Sequence, residues 1–335
     1  MRYILGLLLA VFVVFSLVGL TKEPIHGAGA SFPFPIYSSW AFQYHKETSL
    51  RINYQSIGSG GGIHQISSRT VDFGASDDPL QPDKLAKSRL LQFPAIIGGI
   101  VPVVNIENIK GGELKLTSGQ LAAIFLGKIK RWNDPEILRT NPGLDLPNKT
   151  IVTVHRSDGS GTTAIFTYYL SKVNPEWKRT IGYGKSVQWP MGIAGKGNEG
   201  VSGYVKKLKN TIGYIEFAYA KNNNLAYALV QNKSGKFVNP SYESFRSAAS
   251  KAELKAENGF HGWLVNSTGE DSWPIAGASY ILLARENTDI NRSIVRFFDW
   301  AFKYGDDKAI KMAYVPLPAE LKNRIRIYWQ KNRLY

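Results

Sequence analysis

The stretch Arg156-Ser157-Asp158-Gly159-Ser160-Gly161-Thr162 decides how this chain is read. Before it lies Thr150–His155, in which Ile151, Val152 and Val154 are β-branched and apolar and predict a strand. After it, Thr163–Lys172 has the pattern of a helix. A strand–loop–helix junction with a guanidinium, hydroxyls and free helical N–H groups can cradle a tetrahedral oxyanion. The segment has neither the lysine nor the spacing of the nucleotide P-loop. It therefore predicts an anion that is held, with no sign of its cleavage.

Three further loops of the same kind lie upstream. Gly27–Pro33 carries Ser31 and enters a helix expected to run to about Glu47, with Tyr37, Trp40 and Tyr44 on one face. Gly58–Gly62 carries Ser59 and leads into a helical run, Ile63–Arg69. A short strand, Val71–Ala75, ends at Ser76-Asp77-Asp78-Pro79. Ser31, Ser59, Asp77 and Arg156–Thr162 thus all fall at strand–helix junctions, and ligands of open α/β sheets bind at the carboxyl ends of strands.

Elsewhere, Ile96–Ile106 reads as a buried strand or pair of strands interrupted by Gly98-Gly99. Thr117 and Gln120 form a capping box that starts a helix, with Gly127 as its stop. Thr211–Ala220 and Tyr280–Ala284 are strand-like, and Ile294–Tyr304 and Ala319–Asn332 are helical. Ser234–Lys255 is polar and expected to be peripheral. Strands alternating with helices along 335 residues indicate an α/β protein large enough for two lobes.

Composition narrows the function classes. Hydrophobic residues make up 44% and charged residues 20%, the balance of an ordinary globular protein. Met1-Arg2 followed by the 17-residue apolar run Ile4–Leu20 predicts an export leader over residues 1–21, with a retained anchor as the alternative. The chain has no cysteine, which excludes disulfides, thiolate metal sites, cysteine nucleophiles and a lipid-anchored bacterial lipoprotein. The net charge of +15, or +14 without Arg2, suits an anionic ligand. No nucleic-acid module accompanies it, so a general electropositive field is the simpler reading.

Catalytic signatures are thin. Gly195-Lys196-Gly197-Asn198-Glu199-Gly200 matches G-x-G-x-x-G, but Trp189-Pro190 precedes it and a basic, polar segment follows. The dinucleotide fingerprint needs a strand before it and an apolar helix after it. There is no G-x-S-x-G elbow, and none of the five histidines pairs at metal-ligand spacing. No catalytic residue, metal or cofactor is expected.

Seven ordered stretches then resemble one family: GAGASFPFPIY (27–37), NYQSIGSGGGIHQI (53–66), VDFGASDDPL (71–80), LAAIFLGKIKRWNDPEI (121–137), HRSDGSGTTAIFTYYL (155–170), GKGNEGV (195–201) and IGYIEFAYA (212–220). The chain is similar, from about Gly27 to its last helix, to the periplasmic phosphate-binding proteins of Pst-type ABC importers. The resemblance implies a two-lobed type II periplasmic binding protein fold, with a hinge of crossing strands and a ligand cleft between the lobes. It implies lobe one at 24–95 plus 276–335, lobe two at 96–275, and a hinge near Phe93–Gly99 and Trp273–Gly277.

On the same resemblance, Ser31, Phe32, Ser59 and Asp77 meet phosphate from lobe one, Phe32 through its backbone N–H. Arg156, Ser160, Gly161 and Thr162 meet it from lobe two, and Asp158 orients Arg156. Ser31 stands where the family often has threonine, and either hydroxyl can donate. The expected role is phosphate capture in the periplasm and delivery to permease subunits, by a monomer that is not an enzyme and binds no nucleic acid. Alternatives are a binder of sulfate or a phosphonate, a secreted phosphatase, or an electropositive adhesion protein.

Overall fold

The computed structural model describes residues 23–335, so the leader expected over residues 1–21 lies outside the described residues. Among the described residues, twelve strands occur in chain order. β1 (Ile25–Gly29), β2 (Ile52–Ser56) and β3 (Phe73–Ser76) come first, followed by the long β4 (Leu90–Asn105) and the short β5 (Lys115–Leu116). β6 (Val152–Arg156), β7 (Ile193–Gly195) and β8 (Thr211–Glu216) form a second group. β9 (Ala226–Tyr227), β10 (Leu229–Gln231) and β11 (Phe237–Val238) are short, and β12 (Ala276–Ala284) closes the series.

The main sheet runs β2-β1-β3-β12-β4-β8-β6-β7, with β9 beside β4. At one end β2, β1 and β3 are parallel, and at the other β8, β6 and β7 are parallel. Between them β12 and β4 run antiparallel to each other and to their outer neighbours. β4 serves both ends. Its residues Leu90–Gly99 pair with β12, and Ile100–Asn105 pair with β8. The expected α/β architecture is present, with two α/β halves joined by strands that cross between them.

The Gly98-Gly99 pair does not break β4, contrary to the expected interruption. The strand continues through both glycines because its ladder with β12 is kept at Gly98↔Gly277 and Gly99↔Ala276. A Cβ on Gly99 would lie 2.1 Å from the Phe245 ring, so the glycine marks close packing. Phe245 also corrects the reading of 234–255 as peripheral. It is fully buried on the Tyr242–Ala249 helix, edge-on to Phe217 and Trp273. An apolar i, i+3, i+4 set inside a polar segment anchors that helix at the junction of the halves.

Other elements follow the expectations with small shifts. The first helix spans Phe34–Thr48, with Pro35 in its first turn and Tyr37, Trp40 and Tyr44 buried. Thr117 and Gln120 make the reciprocal capping box and start the Ser118–Phe125 helix. The second helix begins four residues earlier than expected, at Ser59, and takes the glycines into its first turn. The last two long helices, Thr288–Tyr304 and Ala319–Lys331, pack against the β1–β3 half, where Phe298 meets Tyr37, Phe73 and Phe93. Among the described residues, no helix is long and apolar enough to cross a membrane.

Candidate functional site

Every sequence-predicted site residue sits at or just beyond the carboxyl end of a parallel strand. Ser31 and Phe32 follow β1, Ser59 follows β2, and Asp77 follows β3. Arg156 ends β6, and Ser160, Gly161 and Thr162 open the Gly161–Val173 helix after it. Chain crossover therefore brings two loop clusters face to face across the junction, as open α/β sheets place their ligand crevices.

The clusters are in direct contact. Ser59 Oγ accepts hydrogen bonds from the N–H of Asp77 (3.2 Å) and from that of Gly161 (3.1 Å). Gly60 N–H donates to the Gly159 carbonyl at 2.7 Å. A Cβ on Gly161 would lie 2.5 Å from Ser59 Oγ and 2.6 Å from Asp77, so no side chain fits there. Lys185 Nζ meets Asp78 Oδ2 at 2.6 Å across the same seam, while the Lys185 carbonyl accepts from Ser160 N–H. Ser160 Oγ caps its helix by accepting from Thr163 N–H at 3.0 Å.

Charge is arranged on both sides. Arg156 donates from Nε to Asp158 Oδ1 (2.9 Å) and from Nη2 to Asp158 Oδ2 (2.6 Å), a bidentate pair. Asp158 Oδ1 also accepts from Gly197 N–H. Burial alone would raise the pKa of Asp158, but the Arg156 pair and that N–H outweigh it and hold the pKa below the usual value. Nη1 of Arg156 is buried and unpaired among the described residues. So are both carboxylate oxygens of Asp77, a residue 2% exposed.

Burial is the main cause that pushes the Asp77 pKa up to about 7, and the neighbouring charge of Asp78 adds to it. Ser279, Arg156 and Ser59 pull the other way. Ser279 Oγ is itself buried and makes no hydrogen bond with either carboxylate oxygen. The side chain of Phe32 is consumed by packing against Tyr314, whose hydroxyl donates to the Phe32 carbonyl at 2.7 Å. That leaves the Phe32 amide as its polar contribution.

The Gly195–Gly200 segment differs from its sequence reading. β7 does precede it, and a helix, Gly197–Lys207, does follow. The first N–H groups of this helix are already committed, Gly197 to Asp158 and Asn198 to Ser31 Oγ. The segment thus belongs to the same cleft, and Asn198 is a fully buried residue at its centre. Tyr219 joins it by donating to the Ser31 carbonyl at 2.7 Å. Asn198, Tyr219 and Lys185 were not among the expected site residues. The one signal for Asn198 was its place in a resembling glycine-rich stretch.

Comparison with known proteins identifies the family and the fold. Residues 18–303 match the model of the PBP superfamily domain. The phosphate-binding protein PstS of Pasteurella multocida is 56% identical over 322 residues, covering 95% of this chain and 94% of the relative. The phosphate-binding protein PstS of Haemophilus influenzae is 56% identical over 308 residues, covering 91% and 92%. Among solved structures, a high affinity periplasmic phosphate-binding protein, PfluDING, bound with phosphate, superposes with a TM-score of 0.72 at 20% identity, covering 91% of this chain and 93% of that one. By fold and by sequence, this chain belongs to the PBP superfamily and, within it, to the PstS family of phosphate-binding proteins.

Proposed function

We propose that this protein captures inorganic phosphate in the cell envelope and delivers it to the permease subunits of an ABC importer. One observation carries the assignment to the cleft. An unpaired buried carboxylate, Asp77, and an unpaired buried guanidinium nitrogen, Arg156 Nη1, sit among hydroxyls that already accept protein hydrogen bonds. Such a site needs a ligand that accepts many hydrogen bonds and donates one. Phosphate near neutral pH keeps at least one proton, which Asp77 accepts, whereas sulfate has none and faces the carboxylate with a bare oxygen. Ser31, Phe32, Ser59, Asp77, Arg156, Ser160, Gly161 and Thr162 hold the anion, and Asp158 orients Arg156.

The ligand groups come from lobe one, 24–95 plus 276–335, and lobe two, 96–275. Closure turns about Phe93–Gly99 and Trp273–Gly277, where β4 and β12 cross. Because ligands are contributed from both sides, phosphate favours the closed form by differential contact. The protein works in the periplasm as a monomer, binds no nucleic acid and catalyses no reaction on its ligand.

Calorimetry of the phosphate-stripped protein against phosphate, sulfate and an alkylphosphonate tests this. Stoichiometric binding of phosphate with weak or absent sulfate binding is expected. Preferential uptake of sulfate or the phosphonate, or turnover of a chromogenic phosphate ester, would overturn it.

A further inference from the structure

Asn198 lies between two of these hydroxyls, one from each side of the cleft. Its Nδ2 donates to Ser31 Oγ at 2.8 Å and to Thr162 Oγ1 at 3.2 Å. Its backbone N–H donates to Ser31 Oγ at 3.1 Å. Its Oδ1 accepts from the backbone N–H of Glu216 at 3.0 Å. A backbone N–H can only donate, so this last bond fixes which end of the amide is oxygen. Both Nδ2 hydrogens are therefore spent on Ser31 and Thr162.

A hydroxyl has one proton to give and two lone pairs. Both acceptor positions of Ser31 are filled by Asn198, and one of Thr162 is filled by the same amide. An amide nitrogen accepts nothing, so neither hydroxyl can turn its proton toward Asn198. We infer that Asn198 is a positioning residue for phosphate, orienting the Ser31 and Thr162 hydroxyls as donors toward the anion while tying the two sides of the cleft together. The inference rests on the phosphate reading above. It adds to specificity, because a Ser31 hydroxyl already accepting twice cannot take the phosphate proton, so that proton does not go to Ser31 and Asp77 remains open to accept it.

Asn198→Asp is the sharp test. The variant keeps the shape, and one carboxylate oxygen can still accept from Glu216 N–H. The other oxygen becomes an acceptor for Ser31 and Thr162 and draws their protons away from the cleft. Phosphate affinity should fall about a hundredfold, the scale of two reversed buried hydrogen bonds. Charge repulsion would also lower affinity, so the variant is measured again in a Ser31→Ala/Thr162→Val background. Repulsion is the same in both backgrounds, whereas the hydroxyl effect vanishes in the second. The loss should shrink there by at least about tenfold.

Asn198→Ala, which removes the donors without adding charge, should show coupling of the same sign if Asn198→Asp does not fold. Losses that add fully across both backgrounds would overturn the positioning role. Wild-type protein that takes up no phosphate would overturn the functional reading instead, so the two failures are distinguishable.

Discussion

Arg156, at the end of β6, and Asp158, two residues on in the loop that follows, form a bidentate ion pair that leaves Arg156 Nη1 buried and without a partner among the described residues. The pair fixes the plane of the guanidinium before any ligand arrives. Arg156→Lys keeps the charge but loses the planar fork, and Arg156→Ala loses both. Each should weaken phosphate binding by at least about tenfold, since a charge-assisted contact is lost. Calorimetric affinity unchanged in Arg156→Lys would remove Arg156 from the site.

Asp77 makes two separable predictions. For selectivity, Asp77→Asn should narrow the phosphate-over-sulfate affinity ratio, because the repulsive acceptor is gone. Sulfate excluded as strongly as in wild type would assign discrimination to other groups.

For stability, the folded pKa of Asp77, about 7, lies above the ordinary 3.8. A carboxyl whose pKa is raised by folding favours the folded state below its unfolded pKa, and the benefit is lost as pH rises through the folded value. The phosphate-stripped protein should therefore lose stability through this group between about pH 4 and about pH 7. Asp77→Asn should flatten that part of the profile in thermal melts across the window. Equal slopes in wild type and variant would contradict the burial of an ionising carboxyl here.

Gly161 separates binding from folding. An added Cβ would meet Ser59 Oγ at 2.5 Å and Asp77 at 2.6 Å, contacts made between the two clusters. Gly161→Ala should lower phosphate affinity at least about tenfold by opposing their approach. The melting temperature of the unliganded chain should change little, because opening relieves the clash. Small-angle scattering should show no compaction with phosphate in the variant; compaction equal to wild type would refute the steric account.

Lys185 pairs with Asp78 at 2.6 Å across the seam, with both side chains partly exposed. Its value is that of a partly screened ion pair. Lys185→Ala should raise the phosphate dissociation rate about two- to fivefold and leave association nearly unchanged. High salt should erase the difference in stopped-flow release. A change confined to association would mean that Lys185 steers the anion and does not latch the cleft.

Gly99 carries a stability prediction. Gly99→Val would drive its side chain into the Phe245 ring, where even a Cβ comes within 2.1 Å. Overpacking of this kind costs about 1–3 kcal/mol, a fall visible in thermal or urea unfolding. Wild-type stability would show that the Tyr242–Ala249 helix can shift freely.

The local chemistry was legible in the sequence because it is local. Glycines and hydroxyls at strand–helix junctions mark Ser31, Ser59, Asp77 and Arg156–Thr162 regardless of what lies far away in the chain. That Asp158 hydrogen-bonds and orients Arg156 was foreseen from the family resemblance and needs only two residues of separation; that the pair is bidentate is seen in the structure. Periodicity likewise marked the buried face of Phe34–Thr48 and the capping box at Thr117.

Long-range packing decided the rest. Phe245 reads as one apolar residue in a polar segment until the chain folds it onto Gly99 and Trp273. Gly195–Gly200 reads as a weak nucleotide motif until the N–H groups of Gly197 and Asn198 are seen to be spent on Asp158 and Ser31. Asn198 is separated from Ser31 by 167 positions, and no pattern in the sequence records that its amide fills both acceptor sites of that hydroxyl together with its own N–H. By itself, the sequence determined which residues could cradle an anion, because turn chemistry and helix starts are properties of a few neighbours. Only the tertiary structure decided which way their hydroxyls point and how the two sides are held together, because hydrogen-bond saturation depends on partners that folding brings from elsewhere in the chain.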